Sequence, residues 1–154
     1  MSHDGPTIRS ASLALERLVL GWDRYREAVA DELGVGTTEI AALGFLYHDG
    51  PHTPSEIGHL LNLTSGSVTA LLDRLEGAAF VTRSQNPDDR RSLLATATPA
   101  GRHAIQWYYD RLDEIVGKTL ERVSNITLSD VITLANSAGE LLIEQADEAN
   151  RSQH

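Results

Sequence analysis

Apolar positions along this chain recur in distinct rhythms, and each break in a rhythm marks a new element. From Thr7 to Leu33 they fall at Ile8, Ala11, Leu15, Leu18, Trp22, Tyr25, Val29 and Leu33, in steps of three and four. That spacing predicts a long helix with a coiled-coil-like seam. A seam that precedes any core needs a partner, either the chain's own C-terminus or another subunit. Gly34-Val35-Gly36 should end this helix and Thr37 or Thr38 cap the next. The second helix buries Ile40, Leu43, Leu46 and Tyr47 and closes at His48-Asp49-Gly50-Pro51. Two further seam-bearing helices are expected near the other end. One starts at Thr98-Pro99, with the hydroxyl as cap and the proline in the first turn, and runs through Ile105, Tyr108, Leu112, Ile115, Thr119 and Val123. The other opens at Thr127 or Ser129 and carries Leu128, Val131, Ala135, Ala138, Leu142 and Gln145.

Between these arms, Thr53 to Gly101 changes rhythm three times. Thr53 is a suitable N-cap and Pro54 a suitable first helical residue, so a short helix can begin there and bury Ile57, Leu60 and Leu61. Asn62-Leu63-Thr64 breaks the pattern, and Thr64 or Ser65 caps a second helix with Val68, Leu71, Leu72 and Leu75 on one face. Its other face carries Ser65, Gly66, Ser67, Thr69, Asp73 and Arg74. So short a turn forces a steep crossing, which lets the second helix enter a DNA major groove. After Gly77, Phe80 to Ser84 and Leu93 to Ala97 read as two strands around a polar tip, Gln85 to Ser92. The expected fold is mainly α with a small two- to three-stranded wing: a winged helix-turn-helix over 37–100, with helical dimerisation segments at 7–33 and 101–148.

Composition narrows this picture. With 154 residues, 41% of them hydrophobic, the chain can build one real core. No apolar run approaches the ~18 residues of a membrane span, and MSHDGPTIRS lacks a basic region followed by an apolar one. A cytoplasmic location with no membrane partner is expected. The chain has no cysteine, which excludes disulfides and thiolate metal sites. The net charge of -9 would repel a polyanion, but it is unevenly spread. Residues 1–63 hold four arginines against nine acids, 64–102 five arginines against four acids, and 103–154 four basic residues against nine acids. Only the proposed DNA-contacting segment escapes the acidic excess, which predicts modest, salt-dependent affinity.

The recognition-type helix with the strand after it, SGSVTALLDRLEGAAFVTR, and the wing tip with the second strand and the next helix start, NPDDRRSLLATATPAG, resemble the MarR (multiple-antibiotic-resistance) family of transcriptional regulators. The resemblance spans nearly the whole chain and implies that 1–154 is a single subunit of that type. It implies Ser65, Ser67 and Thr69 at the major groove and Arg74 on the phosphates. It also implies Arg91 in the minor groove oriented by Asp89, with Arg90 on the backbone. Read from the residues alone, Arg90 and Arg91 also fit a solvated turn and Asp89 a simple turn-former. Many members have a basic residue where this chain has Ala70, so the wing arginines would carry more of the binding.

Members of this family usually bind a small, often aromatic or phenolic, effector beside the dimerisation helices. Trp22, Trp107, Tyr108 and Tyr47 are the candidate ligand residues, although Tyr108 and Trp22 also fit the apolar stripes. His48 and His52 flank a Gly-Pro turn, and no histidine pair has helical metal-ligand spacing, so no metal and no cofactor are expected. Hydrolase motifs and phosphate-cradling glycine loops are absent, and the chain is not expected to be an enzyme. The expectation is a homodimeric repressor of a nearby operon that binds a pseudo-palindromic double-stranded operator and is released by a small ligand. The alternatives are a winged-helix protein-interaction module, or a DNA-binding regulator without an effector.

Overall fold

The structure is a computed structural model that describes residues 6–89 and 91–152. Its elements follow in the order α1 (Ile8–Leu33), α2 (Thr37–His48), α3 (Pro54–Leu61), α4 (Ser65–Gly77), β1 (Val81–Gln85), β2 (Leu93–Ala97), α5 (Pro99–Arg122) and α6 (Leu128–Arg151). This is a mainly helical winged helix-turn-helix chain. Two compact units divide it, one ending at Tyr109 and the other beginning at Asp110.

In the first unit the core is built where the apolar repeats of α2, α3 and α4 meet the wing. Val68, Leu71, Leu72 and Leu75 of α4 are all buried, together with Ile57, Ile40, Leu43, Leu46, Val81 and Ala95. Helix α2 is buried nearly all round, so it acts as the post on which the other elements rest. The expected hydroxyl cap for α2 is absent. Gly36 is the N-cap, with no side-chain cap bond, and Thr37 is already helical. Elsewhere the capping chemistry is as the sequence implied. The Thr53 hydroxyl accepts the Glu56 N–H, and the Glu56 carboxylate accepts the Thr53 N–H at 2.7 Å. The Thr53 N–H, and then the Thr53 hydroxyl bonded to the same carboxylate, hold the Glu56 carboxyl below the usual carboxylate range. Leu60 is 44% exposed rather than buried, because one face of an eight-residue helix is filled by Ile57 and Gly58.

The wing is an antiparallel pair in which Val81 faces Ala97 and Gln85 faces Leu93. His52 adds an isolated bridge to Ala95, the rudiment of a third strand. The turn from α4 into β1 is made by Ala79 at φ 59°, a left-handed position usually given to glycine. Its cost is offset by bonds from Ala79 N–H to Glu76 O, Phe80 N–H to Leu75 O and the Thr98 hydroxyl to Ala79 O. Thr98 also caps α5 by accepting the Gly101 N–H. In α1 only Val29 and Ala30 are buried, and Ile8, Leu15 and Leu18 of its seam are exposed.

The second unit contains the rest of α5 and α6. Thr127 caps α6 by accepting the Asp130 N–H, and Asp130 returns two bonds to Thr127. Leu128, Ile132, Leu134, Leu141, Leu142 and Ile143 stand exposed along α6. No helix among the described residues is long and apolar enough to cross a membrane.

Candidate nucleic-acid interface

The helix-turn-helix is locked by a short, fully bonded turn. Asn62 takes a left-handed φ of 52°, its N–H caps α3, and the Leu63 N–H returns to Gly58 O at 2.8 Å. Gly58 suits the close approach of the two helices, since a Cβ there would lie 3.2 Å from Val68 Cγ2 and 3.3 Å from Leu63 O, tighter than ordinary contact. The turn leads into Thr64, whose hydroxyl caps α4 by accepting the Ser67 N–H. Because α4 buries Val68, Leu71, Leu72 and Leu75, its register leaves Ser65, Ser67, Thr69 and Arg74 on the exposed side. Ser67 Oγ lies 2.9 Å from the Thr64 hydroxyl, and the Thr69 hydroxyl donates to Ser65 O at 3.0 Å. Ser65 and Thr69 border an open groove of about 440 Å³ between α3 and α4, which also reaches Pro54 and Ser55.

The wing tip closes on itself through side chains. Asn86 Nδ2 donates to Ser92 Oγ at 3.0 Å, and Asn86 Oδ1 accepts the Asp88 N–H. Asp89 Oδ1 accepts the Arg91 N–H at 3.0 Å, while the Asp89 carbonyl accepts both the N–H and hydroxyl of Ser92. Asp89 therefore shapes the backbone that presents Arg91. A second open cleft, about 550 Å³, is bordered by Asp89 and Arg91 of the wing and by Thr53, Pro54 and Ser55 of α3. Pro54 and Ser55 border both grooves, so the start of α3 joins the Ser65/Thr69 surface to the Arg91 surface. Arg90 lies outside the described residues.

Two ion-pair systems hold the recognition helix, and neither is anticipated by the sequence reading. Arg74 Nε lies 2.6 Å from Oε1 of Glu39 on α2. Arg83 on β1 meets Asp73 Oδ1 at 2.6 Å and is also bonded to the Glu76 carboxylate. Arg83 holds the Glu76 carboxyl below its usual range, and Glu76 and Asp73 push the Arg83 guanidinium up. The signal for Glu39 is its position as a lone acid at the head of the apolar stretch IAALGFL. Arg83 shares the face of Val81, two residues earlier on a strand that packs on α4, which places it beside Asp73 and Glu76.

Among the aromatic candidates, Trp22 and Tyr108 line a cavity of about 310 Å³ with Arg26, Phe45, His48 and Tyr109. Tyr47 and Trp107 lie outside its lining. Tyr47 is hydrogen-bonded to Gln106, and its ring centroid is 6.2 Å from that of Tyr109, while Trp107 packs half-buried on the core. Tyr25 stacks on Tyr108 at 5.6 Å and donates its hydroxyl to the Tyr108 carbonyl. Burial pushes the Tyr108 and Tyr109 phenols up, so both stay neutral donors across the ordinary pH range. Arg26 pairs through Nη2 with Asp23, and its Nε is buried with no hydrogen-bond partner among the described residues. Among the described residues no group of three or more acids and histidines is arranged to hold a metal.

Comparison with known proteins agrees with this geometry. The MarR family pattern matches residues 37–93. The HTH-type transcriptional regulator YkoM of Bacillus subtilis is 34% identical over 108 residues, 70% of each chain. The crystal structure of wild-type apo MarR from E. coli superposes with a TM-score of 0.64 at 23% identity, covering 92% of this chain and 99% of that one. A MepR–DNA complex from S. aureus gives a TM-score of 0.60 at 16% identity, covering 82% and 98%. With its recognition helix, wing and connecting turn in this arrangement, the chain belongs to the MarR family of DNA-binding transcriptional regulators.

Proposed function

We propose that the chain acts in the cytoplasm as a homodimeric repressor of a nearby operon, relieved by a small aromatic anion. Each protomer sets α4 into a major groove through Ser65, Ser67 and Thr69 and rests Arg74 on a phosphate. The wing brings Arg91 to the adjoining minor groove on the backbone that Asp89 shapes, and Arg90 is assigned to the DNA backbone. The observation that carries this reading is the continuous exposed surface from Ser65 and Thr69, past the start of α3, to Arg91. The MepR–DNA complex supports it as a fold relative bound to DNA. Residues 37–100 form the DNA-binding lobe in this reading, and 7–33 with 101–148 supply the dimer. The exposed leucines and isoleucines along α1 and along α6 support the dimer, since each helix presents apolar side chains that favour a partner over water. Two-fold symmetry puts the two recognition helices about 34 Å apart, one turn of a pseudo-palindromic operator.

The effector enters the cavity between Trp22 and Tyr108, where Tyr109 offers a ring face and Arg26 a buried N–H that lacks an acceptor among the described residues. Tyr47 supports the wall from behind through its ring contacts with His48 and Tyr109. A carboxylate or phenolate on a planar ring satisfies that set. Its wall includes Ile40, Gly44 and Phe45 of α2, the helix on which α4 packs, so a ligand that prefers a shifted α2 disfavours the DNA-bound spacing by its differential affinity.

A nuclease footprint on the chain's own promoter, with and without a panel of aromatic acids, tests the whole reading. A two-fold protected site that opens with an aromatic acid is expected. A footprint unchanged by every acid removes the effector, and an asymmetric single half-site removes the dimer. Arg91→Ala should weaken binding about ten-fold and reduce the salt slope by about one. Unchanged binding in that variant sinks the wing contact.

A further inference from the structure

We infer that Glu39 is a positioning residue for DNA binding, its buried carboxylate holding the Arg74 guanidinium in the pose from which it meets a backbone phosphate. This rests on the assignment of Arg74 as a phosphate contact.

Glu39 stands alone among the described residues as a buried polar or charged residue, at 2% exposure. A carboxylate removed from water must be compensated. It occupies the first turn of α2, where the helix end is positive, and its Oε1 meets both Nε and Nη2 of Arg74, at 2.6 and 2.5 Å. The backbone is shaped to admit it: a Cβ on Gly36 would lie 2.3 Å from Glu39 Oε2 and displace the carboxylate. Arg74 is different in kind. Its side chain remains 59% exposed although two of its nitrogens are tied from below. A buried acid gripping one edge of an exposed arginine leaves the remaining N–H groups for an outside acceptor. An untethered arginine on a helix surface loses rotamer freedom when it binds, and Glu39 removes that loss beforehand.

A countercharge and a positioning residue predict opposite signs. Glu39→Gln removes a negative charge from beside a phosphate-binding group, so if Glu39 only neutralises Arg74 the variant binds DNA more tightly. If Glu39 positions Arg74, the variant binds more weakly while Arg74 still reaches its phosphate.

The test titrates a labelled duplex of the chain's own promoter region with the full-length wild type, E39Q, R74Q, R74K, E39Q/R74Q and E39Q/R74K between about 50 and about 200 mM salt. Affinities are referred to the folded fraction measured by circular dichroism. E39Q should raise Kd roughly five-fold with the salt slope unchanged. R74Q should raise it about ten-fold and lower the slope by about one. E39Q should add nothing in the R74Q background. R74Q leaves a buried charge uncompensated, so R74K provides the deciding arm if R74Q does not fold. R74K keeps the charge and loses the fork, and should show weaker binding, an unchanged slope and no further effect of E39Q. Unchanged or tighter binding by E39Q overturns the inference and leaves the Arg74 contact standing, as does an E39Q loss that persists in either Arg74 variant. No change in affinity or slope on replacing Arg74 overturns the contact itself, and the inference with it.

Discussion

Helices α4 and α6 carry the same kind of apolar repeat and meet opposite fates. Val68, Leu71, Leu72 and Leu75 of α4 are at most 1% exposed, whereas Leu134, Leu141, Leu142 and Ile143 of α6 are 59% to 68% exposed. The difference lies in what surrounds each helix. α4 finds α2, α3 and β1 within its own unit, each supplying an apolar face. α6 presents leucine and isoleucine side chains with no comparable cover in its own unit. Periodicity thus measures how strongly a helix needs a partner, and only tertiary context tells whether the same chain provides it.

The largest expected effect breaks the comparison on the α6 side. Leu142→Glu together with Ile143→Glu places two charges on the face assigned to the dimer. Sedimentation should show a monomer, and operator affinity should fall by about 100-fold, because each half-site then binds without the help of the other. Circular dichroism should still report a helical protein. A variant that remains dimeric would show that α6 is not the interface.

Next in size is the α4 side. Leu72→Ala removes a side chain 1% exposed from the centre of the core and should cost about 3 kcal/mol in urea unfolding, through lost burial and the cavity left behind. Leu142→Ala, at an exposed site, should leave the unfolding of an isolated protomer nearly unchanged and act only through the concentration dependence of the dimer. Equal losses for the two variants would mean that α6 is already packed within the protomer.

These contrasts also mark how far the sequence was legible. The buried face of α4 and the Thr53, Thr64 and Thr98 caps follow from local rules, in which each residue's role depends on neighbours three or four positions away. Reading fails where the determining partner is distant in the chain. Thr37 and Thr38 have the hydroxyls of caps for α2, but the helix starts on Gly36 because the Glu39 carboxylate fills the space beside it and is met by Arg74, 35 residues away. Gly77 is the last residue of α4, but the left-handed residue of the turn that follows is Ala79, held by bonds that include one from Thr98. In the candidate site, the exposed positions of α4 are readable from its buried stripe. The cavity wall is not: Trp22 and Tyr108 line it, Trp107 does not, and Arg26 and His48 enter only through the packing of α1, α2 and α5.

A smaller effect separates the start of α3 from that of α6. Thr53→Ala removes an oxygen that accepts the Glu56 N–H, and should cost about 1 kcal/mol in urea unfolding, with the Arg91 surface also loosened because Thr53 borders its cleft. Thr127→Ala deletes the equivalent cap on α6 and should lower helicity in the second unit without changing the salt slope of DNA binding. A change in that slope for Thr127→Ala, or none in DNA affinity for Thr53→Ala, would uncouple caps from the DNA surface.

The smallest effect is a difference in acid response. Glu76, bonded to Arg83, and Asp130, bonded to Thr127, both have carboxyl groups held below their usual values. In each case the unfolded chain binds its proton first as pH falls. The stabilisation is therefore complete above the ordinary carboxylate value and is lost as pH drops through the lowered one. The thermal midpoint of the wild type should decline from about pH 5 downward, and Glu76→Gln should flatten that decline while lowering the midpoint at neutral pH. Asp130→Asn should flatten it less in the transition of the winged-helix unit, because its bonds go to the Thr127 cap of the second unit. The Glu76 component also links α4 to the wing, so at pH 7 Glu76→Gln should weaken DNA binding where Asp130→Asn does not. Equal DNA affinity for the two variants would confine the Arg83 cluster to stability and leave the wing's orientation to the β1–β2 pairing.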